Sequence, residues 1–75
     1  MKELVEYIVK SIVSEPDQVK ITEEESDAGI LFKLEVSPED KGRVIGKQGR
    51  VAEAMRTLLR VKAAKNETRA RLEIL

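Results

Sequence analysis

Apolar positions along the chain follow two periods, and each marks an element. In residues 2–13, Leu4, Ile8 and Ile12 form one row at spacing four, and Val5, Val9 and Val13 form the row beside it. Lys2, Glu3, Glu6 and Lys10 take the other side, so the segment reads as an amphipathic helix with a wide apolar stripe for packing on a sheet. Pro16 stops it and pushes Glu15 toward an extended conformation. Val19-Lys20-Ile21-Thr22 alternates as a short strand that frays into Glu23-Glu24-Glu25, with a turn at Asp27-Ala28-Gly29. The period-two signal is clearest over residues 30–36, where Ile30, Phe32, Leu34 and Val36 point one way and Lys33 and Glu35 the other. Ser37-Pro38-Glu39-Asp40 reads as a helix start: Ser37 as cap, Pro38 at the first helical position, and two acids at the positive end of the helix dipole. Gly42 weakens this short helix and Gly46 ends it. Val51, Ala52, Met55, Leu58, Leu59 and Ala63 mark the buried side of a longer helix, with Arg50, Arg56 and Arg60 off that face and Asn66 closing it. Ala70, Leu72 and Ile74 alternate with Arg69, Arg71 and Glu73 as a last strand.

The order α-β-β-α-α-β predicts an α+β fold. The first two strands form a hairpin, and the two-helix crossover makes the second and third parallel, with right-handed connection. The expected result is a three-stranded mixed sheet in the order 1-2-3. Each strand has one apolar face, so all three helices are expected on one side of the sheet and solvent on the other. No repeat, linker or composition break divides the chain, and residues 1–75 read as a single domain.

Composition narrows the chemistry. The 75 residues contain no cysteine and no histidine, which excludes a structural zinc site, a thiol nucleophile and an imidazole base. No nucleophile–base pair or carboxylate dyad is visible, so an enzyme is not expected, and neither is a cofactor. No apolar run approaches the roughly 20 residues of a membrane helix, and the acidic N-terminus lacks a signal-peptide pattern. A soluble, cytoplasmic protein without membrane attachment is the expectation.

Charged residues make up 37% of the chain with a formal net charge of zero. Their order matters more than their sum. Residues 1–40 hold 4 basic and 11 acidic side chains, a net of −7, and residues 41–75 hold 10 basic and 3 acidic, a net of +7. Either the two halves neutralise each other in the fold, or the basic half faces a polyanion.

The centre of the basic half is Val44-Ile45-Gly46-Lys47-Gln48-Gly49-Arg50, a glycine loop at a helix N-terminus. Such a terminus carries unpaired N–H groups and the positive end of the dipole, which makes it a phosphate seat when glycines expose the backbone. A nucleotide-binding P-loop does not fit: three residues separate Gly42 from Gly46, and Gln48 stands where Ser or Thr must reach magnesium. A plain structural turn between helices remains open on the spacing alone.

The residues themselves resemble a known family. Val44-Ile45-Gly46-Lys47-Gln48-Gly49 is similar to the V-I-G-x-x-G signature of KH domains, and α-β-β-α-α-β is the order of the type II KH fold. The length and the stretch "GRVIGKQGRVAEAMRTLL" resemble the small bacterial KhpA family over essentially the whole chain. The resemblance implies binding of single-stranded RNA, with the loop gripping four nucleotides of backbone. Carried over, Gly46 and Gly49 allow close approach, and Lys47 and Gln48 offer charge and hydrogen bonds to phosphate. Lys41, Arg43 and Arg50 add phosphate contacts, while Arg56 and Arg60 either join them or form a solvated face with Glu53. Val44 and Ile45 supply an apolar floor for bases; both also suit the core, and one is expected in each role. The family further implies an RNA chaperone or regulator linked to cell division and shape, self-association as a dimer, and pairing with a larger multidomain KH protein of the KhpB (Jag) type. A KH-fold dimerisation module that uses the same loop surface is the competing reading.

Overall fold

The structure is a computed structural model and describes all 75 residues. The elements run α1 (Lys2–Ile12), β1 (Lys20–Ser26), β2 (Gly29–Glu35), α2 (Pro38–Ile45), α3 (Arg50–Lys65) and β3 (Ala70–Ile74), with single 3₁₀ turns at Pro16–Gln18 and Lys47–Gly49. The sheet order is β1-β2-β3, with β1 antiparallel to β2 and β3 parallel to β2 as the crossover rule requires. This is the predicted α+β, type II KH arrangement.

One face of the sheet carries the core. Phe32 pairs with Leu72, and Leu34 lies two residues on; all three point at Val5 and Val9 of α1, Val44 of α2, and Met55 and Leu59 of α3. Of the two apolar rows on α1, only Val5 and Val9 are fully buried, while Leu4, Ile8 and Val13 pack around the margin. Leu58 departs from expectation. Its spacing groups it with the buried side of α3, but it is 48% exposed. At 100° per residue it lies about a quarter turn from Leu59, beyond the reach of the sheet.

The acidic run was expected to fray, yet it is fully paired. Glu23, Glu24 and Glu25 stand opposite Phe32, Leu31 and Ile30, and the ladder runs to Ser26 opposite Gly29. A ladder joins backbones, so it tolerates charged side chains wherever solvent or a counter-charge meets them; Lys33 reaches Glu24 at 3.1 Å. At the hairpin, Gly29 (φ +128°) lets β2 pass so close to Arg69 that an added Cβ would lie 2.6 Å from its carbonyl oxygen. The end of α3 is a Schellman turn: Thr68 N–H bonds to Ala63 C=O (2.9 Å) and Glu67 N–H to Ala64 C=O (3.2 Å), with Glu67 in the left-handed region where glycine is usual.

The start of α2 also corrects the sequence reading. Ser37 makes no side-chain cap; its hydroxyl donates to Asp40 Oδ2 at 3.0 Å. Asp40 is not a solvated dipole acid but a fully buried side chain. Its carboxylate also accepts from Ser14 N–H (2.9 Å), Ser14 Oγ (2.9 Å) and Glu15 N–H (3.0 Å). Four donors from two separate segments therefore meet on one anion. The Ser14 amide, with the other three bonds, outweighs the opposing effect of burial and holds this carboxyl at about 2, well below the usual carboxylate range.

Two outcomes follow for stability. Asp40→Ala leaves those amides and hydroxyls without an acceptor and is expected to lower Tm by about 5–15 °C in a domain of this size. Because the folded carboxyl titrates below the unfolded one, its contribution is complete above about pH 4 and disappears as pH falls toward 2. The Tm gap between parent and variant should accordingly close over that window; a gap independent of pH would contradict the ionised-acceptor account.

Candidate nucleic-acid interface

Gly46 ends α2 with φ 78° and ψ 170°, one 3₁₀ turn follows, and α3 begins at Arg50. Gly46 N–H closes α2 on Gly42 C=O (2.8 Å), and Gly49 N–H returns to Gly46 C=O (3.1 Å). Gln48 and Gly49 both lie in the left-handed region, at φ 57° and 73°. This tight path leaves α3 with no side-chain cap, so the positive end of a 16-residue helix opens directly behind the loop.

The two loop glycines are required for different reasons. A Cβ on Gly46 would meet Val51 Cγ2 at 2.5 Å and Val51 N at 2.9 Å, so this glycine brings α2 and α3 together. A Cβ on Gly49 would meet no protein atom within 4 Å. Its missing side chain faces open space, which is where an approaching backbone would lie.

Lys41, Arg43, Lys47, Gln48 and Arg50 are all exposed. None of the four cations forms an ion pair; Arg50 donates only to the Gln48 side-chain oxygen, at 3.2 Å. Val44 and Ile45 divide. Val44 is wholly within the core, so it offers bases no surface, and only Ile45 is exposed beside the loop. The structure therefore removes Val44 from the contact set.

A groove of about 340 Å³ runs between α3 and β3, lined by Glu53, Arg56, Arg60, Ala70, Arg71 and Leu72. Arg56 spans it, with Nη1 on Glu53 (3.2 Å) and Nε on the Leu72 carbonyl (3.3 Å). The acceptor is on the free edge of β3: Arg69 C=O and Leu75 N–H face β2, so Ala70, Leu72 and Ile74 turn their backbone groups outward. The sequence reading missed this wall. A strand edge is recognisable only once strand order is known, although the arginines flanking Ala70 are a visible signal. The aromatics take no part: Phe32 is buried, and Tyr7 lies on α1.

Alanine at three glycines separates packing from access. Gly42→Ala sits within α2 with nothing near its Cβ and should stabilise by about 0.5–1 kcal/mol. Gly49→Ala carries only the left-handed penalty of about 1–2 kcal/mol. Gly46→Ala adds collision with Val51 and should cost about 2–4 kcal/mol. Urea unfolding would give this order; equal losses at 46 and 49 would contradict it.

The chain matches the family model described as KhpA/KhpB, KH domain, over residues 2–74. It is 53% identical over 75 residues to "RNA-binding protein KhpA" of Listeria monocytogenes (serovar 1/2a), covering 100% of this chain and 99% of the relative. It is 47% identical to the protein of the same name from Clostridium acetobutylicum, with both chains covered completely. It is 48% identical over 73 residues to that of Borreliella burgdorferi, covering 97% of this chain and 89% of the relative. No solved structure gives a significant match. With the glycine loop at the α2–α3 junction, the three-stranded sheet and this full-length similarity, the chain belongs to the KhpA/KhpB KH-domain family, a family of binding proteins rather than enzymes.

Proposed function

We propose that this protein binds single-stranded RNA with low sequence specificity, seating the backbone on Gly46–Gly49 and laying bases along the α3–β3 groove. The observation that carries this reading is the uncapped N-terminus of α3 behind Gly49, ringed by unpaired Lys41, Arg43, Lys47 and Arg50. Backbone amides, helix dipole and cations then act on one phosphate run. Ile45 offers bases an apolar contact, and the outward backbone groups of β3 offer hydrogen bonds to their edges. Contacts to phosphate carry no sequence information, and stacking, worth about 1–3 kcal/mol per base elsewhere, has no aromatic side chain here. Binding is accordingly weak, salt-sensitive and tolerant of sequence, which suits an RNA chaperone or post-transcriptional regulator in the cytoplasm. A larger KhpB-type KH protein is the partner that the family description suggests.

A second observation supports self-association. Leu58 and Val61 are 48% and 55% exposed and sit one turn apart on the side of α3 turned away from Arg56 and Arg60. A dimer through them leaves the loop free, unlike pairing through the loop itself.

Replacing Lys47 and Gln48 together by Asp should abolish RNA binding with the fold and the mass in solution unchanged. A mass change in that variant would favour loop-mediated pairing, and parental RNA affinity would sink the clamp. If about 4–6 phosphates are neutralised, log affinity should fall with log salt at a slope of about −3 to −4. A slope near zero would contradict an electrostatic seat.

A further inference from the structure

One side chain crosses the groove between α3 and β3. Arg56 donates Nη1–H to Glu53 Oε1 at 3.2 Å and Nε–H to the Leu72 carbonyl at 3.3 Å. Leu72 is the middle one of the three residues whose backbone groups turn outward from β3, and no other side chain hydrogen-bonds to that strand's backbone. Arg56 therefore covers the centre of an edge that is otherwise free.

The hold on this guanidinium is local. Glu53 and Arg56 are three residues apart on α3, and their side chains are 61% and 33% exposed. An ion pair so accessible to water contributes little and exchanges readily. Core packing does not require the contact: Met55 and Leu59 join α3 to the sheet, and the Leu72 side chain points to the inner face. Arg56 also lies in the path of a strand leaving the loop. It is six residues after Arg50, which at 1.5 Å per residue places it ~9 Å along α3. A stacked strand advances about 3.4 Å per nucleotide, so the guanidinium stands where the second or third nucleotide beyond the loop would pass.

We infer that Arg56 is a latch on the groove: in the free protein it covers the Leu72 carbonyl, and a base reaches that acceptor only after the guanidinium has swung away. This rests on the clamp reading above. Only molecules with the latch open accept a base there, so the apparent affinity is the intrinsic affinity reduced by the open fraction. A hydrogen bond from a charged donor keeps that fraction at about one in ten.

The test titrates an unstructured RNA octanucleotide over a range of salt and extrapolates the affinity to about 1 M, where the phosphate contribution vanishes. Removing Arg56 also removes a cation, but that loss enters the salt slope and not the extrapolated value. Arg56→Ala should therefore raise the extrapolated affinity about tenfold. Glu53→Gln loosens Arg56 without deleting it. It should raise the extrapolated affinity by a smaller factor in the parent and leave it unchanged in the Arg56→Ala background. A direct effect of the Glu53 carboxylate on RNA would be equal in both. In the parent, the Arg56 Nε–H resonance should shift and exchange faster with water when RNA saturates the protein. Circular dichroism would establish that each variant is folded, and should Arg56→Ala not fold, the parent's resonance decides alone. An extrapolated affinity unchanged or lowered by Arg56→Ala, an equal effect of Glu53→Gln in both backgrounds, or an Nε–H signal unmoved by RNA would overturn the latch while leaving the clamp standing. If neither the parent nor Arg56→Ala binds RNA, the clamp falls, and the latch with it.

Discussion

The fold depends on a single buried anion. Asp40 is fully enclosed, yet it accepts from Ser14, Glu15 and Ser37 and leaves no donor around it unpaired. Ser14 and Glu15 are 26 and 25 residues earlier in the chain, where α1 gives way to the connection into β1. The same bonds therefore fix the exit of one helix and the entry of another. A buried charge is costly when isolated and well tolerated when every acceptor site is filled. Because Asp40 is ionised under ordinary conditions, this junction stays locked at neutral pH.

Everything at the loop follows from how α2 is held. Asp40 anchors its first turn, Val44 buries its last, and Gly46 brings Val51 to within packing distance. With both helices immobilised, the turn between them has little freedom left. Gln48 is kept in a left-handed conformation that a non-glycine residue adopts at some cost. The loop is thus set before any ligand arrives, and preorganisation of this kind reduces what association must spend on ordering.

The charge split acquires a meaning in three dimensions. None of the ion pairs joins the acidic half of the chain to the basic half: Lys10–Glu6 and Lys33–Glu24 lie within the first, Arg56–Glu53 within the second. Sheet order explains the separation. The acids of β1 occupy one edge and the arginines of β3 the other, with β2 between them. The result is a molecule of zero net charge with one basic edge, able to attract a polyanion locally without a uniformly cationic surface.

Much of this was legible along the chain, because periodicity reports which face of an element is buried. The helix of residues 2–13, the strand around Phe32, the parallel crossover and the glycine loop all follow from local spacing and turn chemistry. What failed were inferences about surroundings. Ser37 and Asp40 looked like ordinary residues of a helix start, since nothing nearby in sequence reveals that Ser14 folds back onto them. Leu58 carried the right residue type for the core but the wrong angle. Val44 and Ile45 could not be told apart until α2 was docked. The outward edge of β3, and the arginines it shares with α3, exist only after the strands are ordered. Local sequence therefore determined which elements form and where the backbone turns, because those depend on a residue and its near neighbours. Only the tertiary structure decided which polar groups are enclosed and which cations are left free, because burial and pairing belong to segments that meet from far apart in the chain.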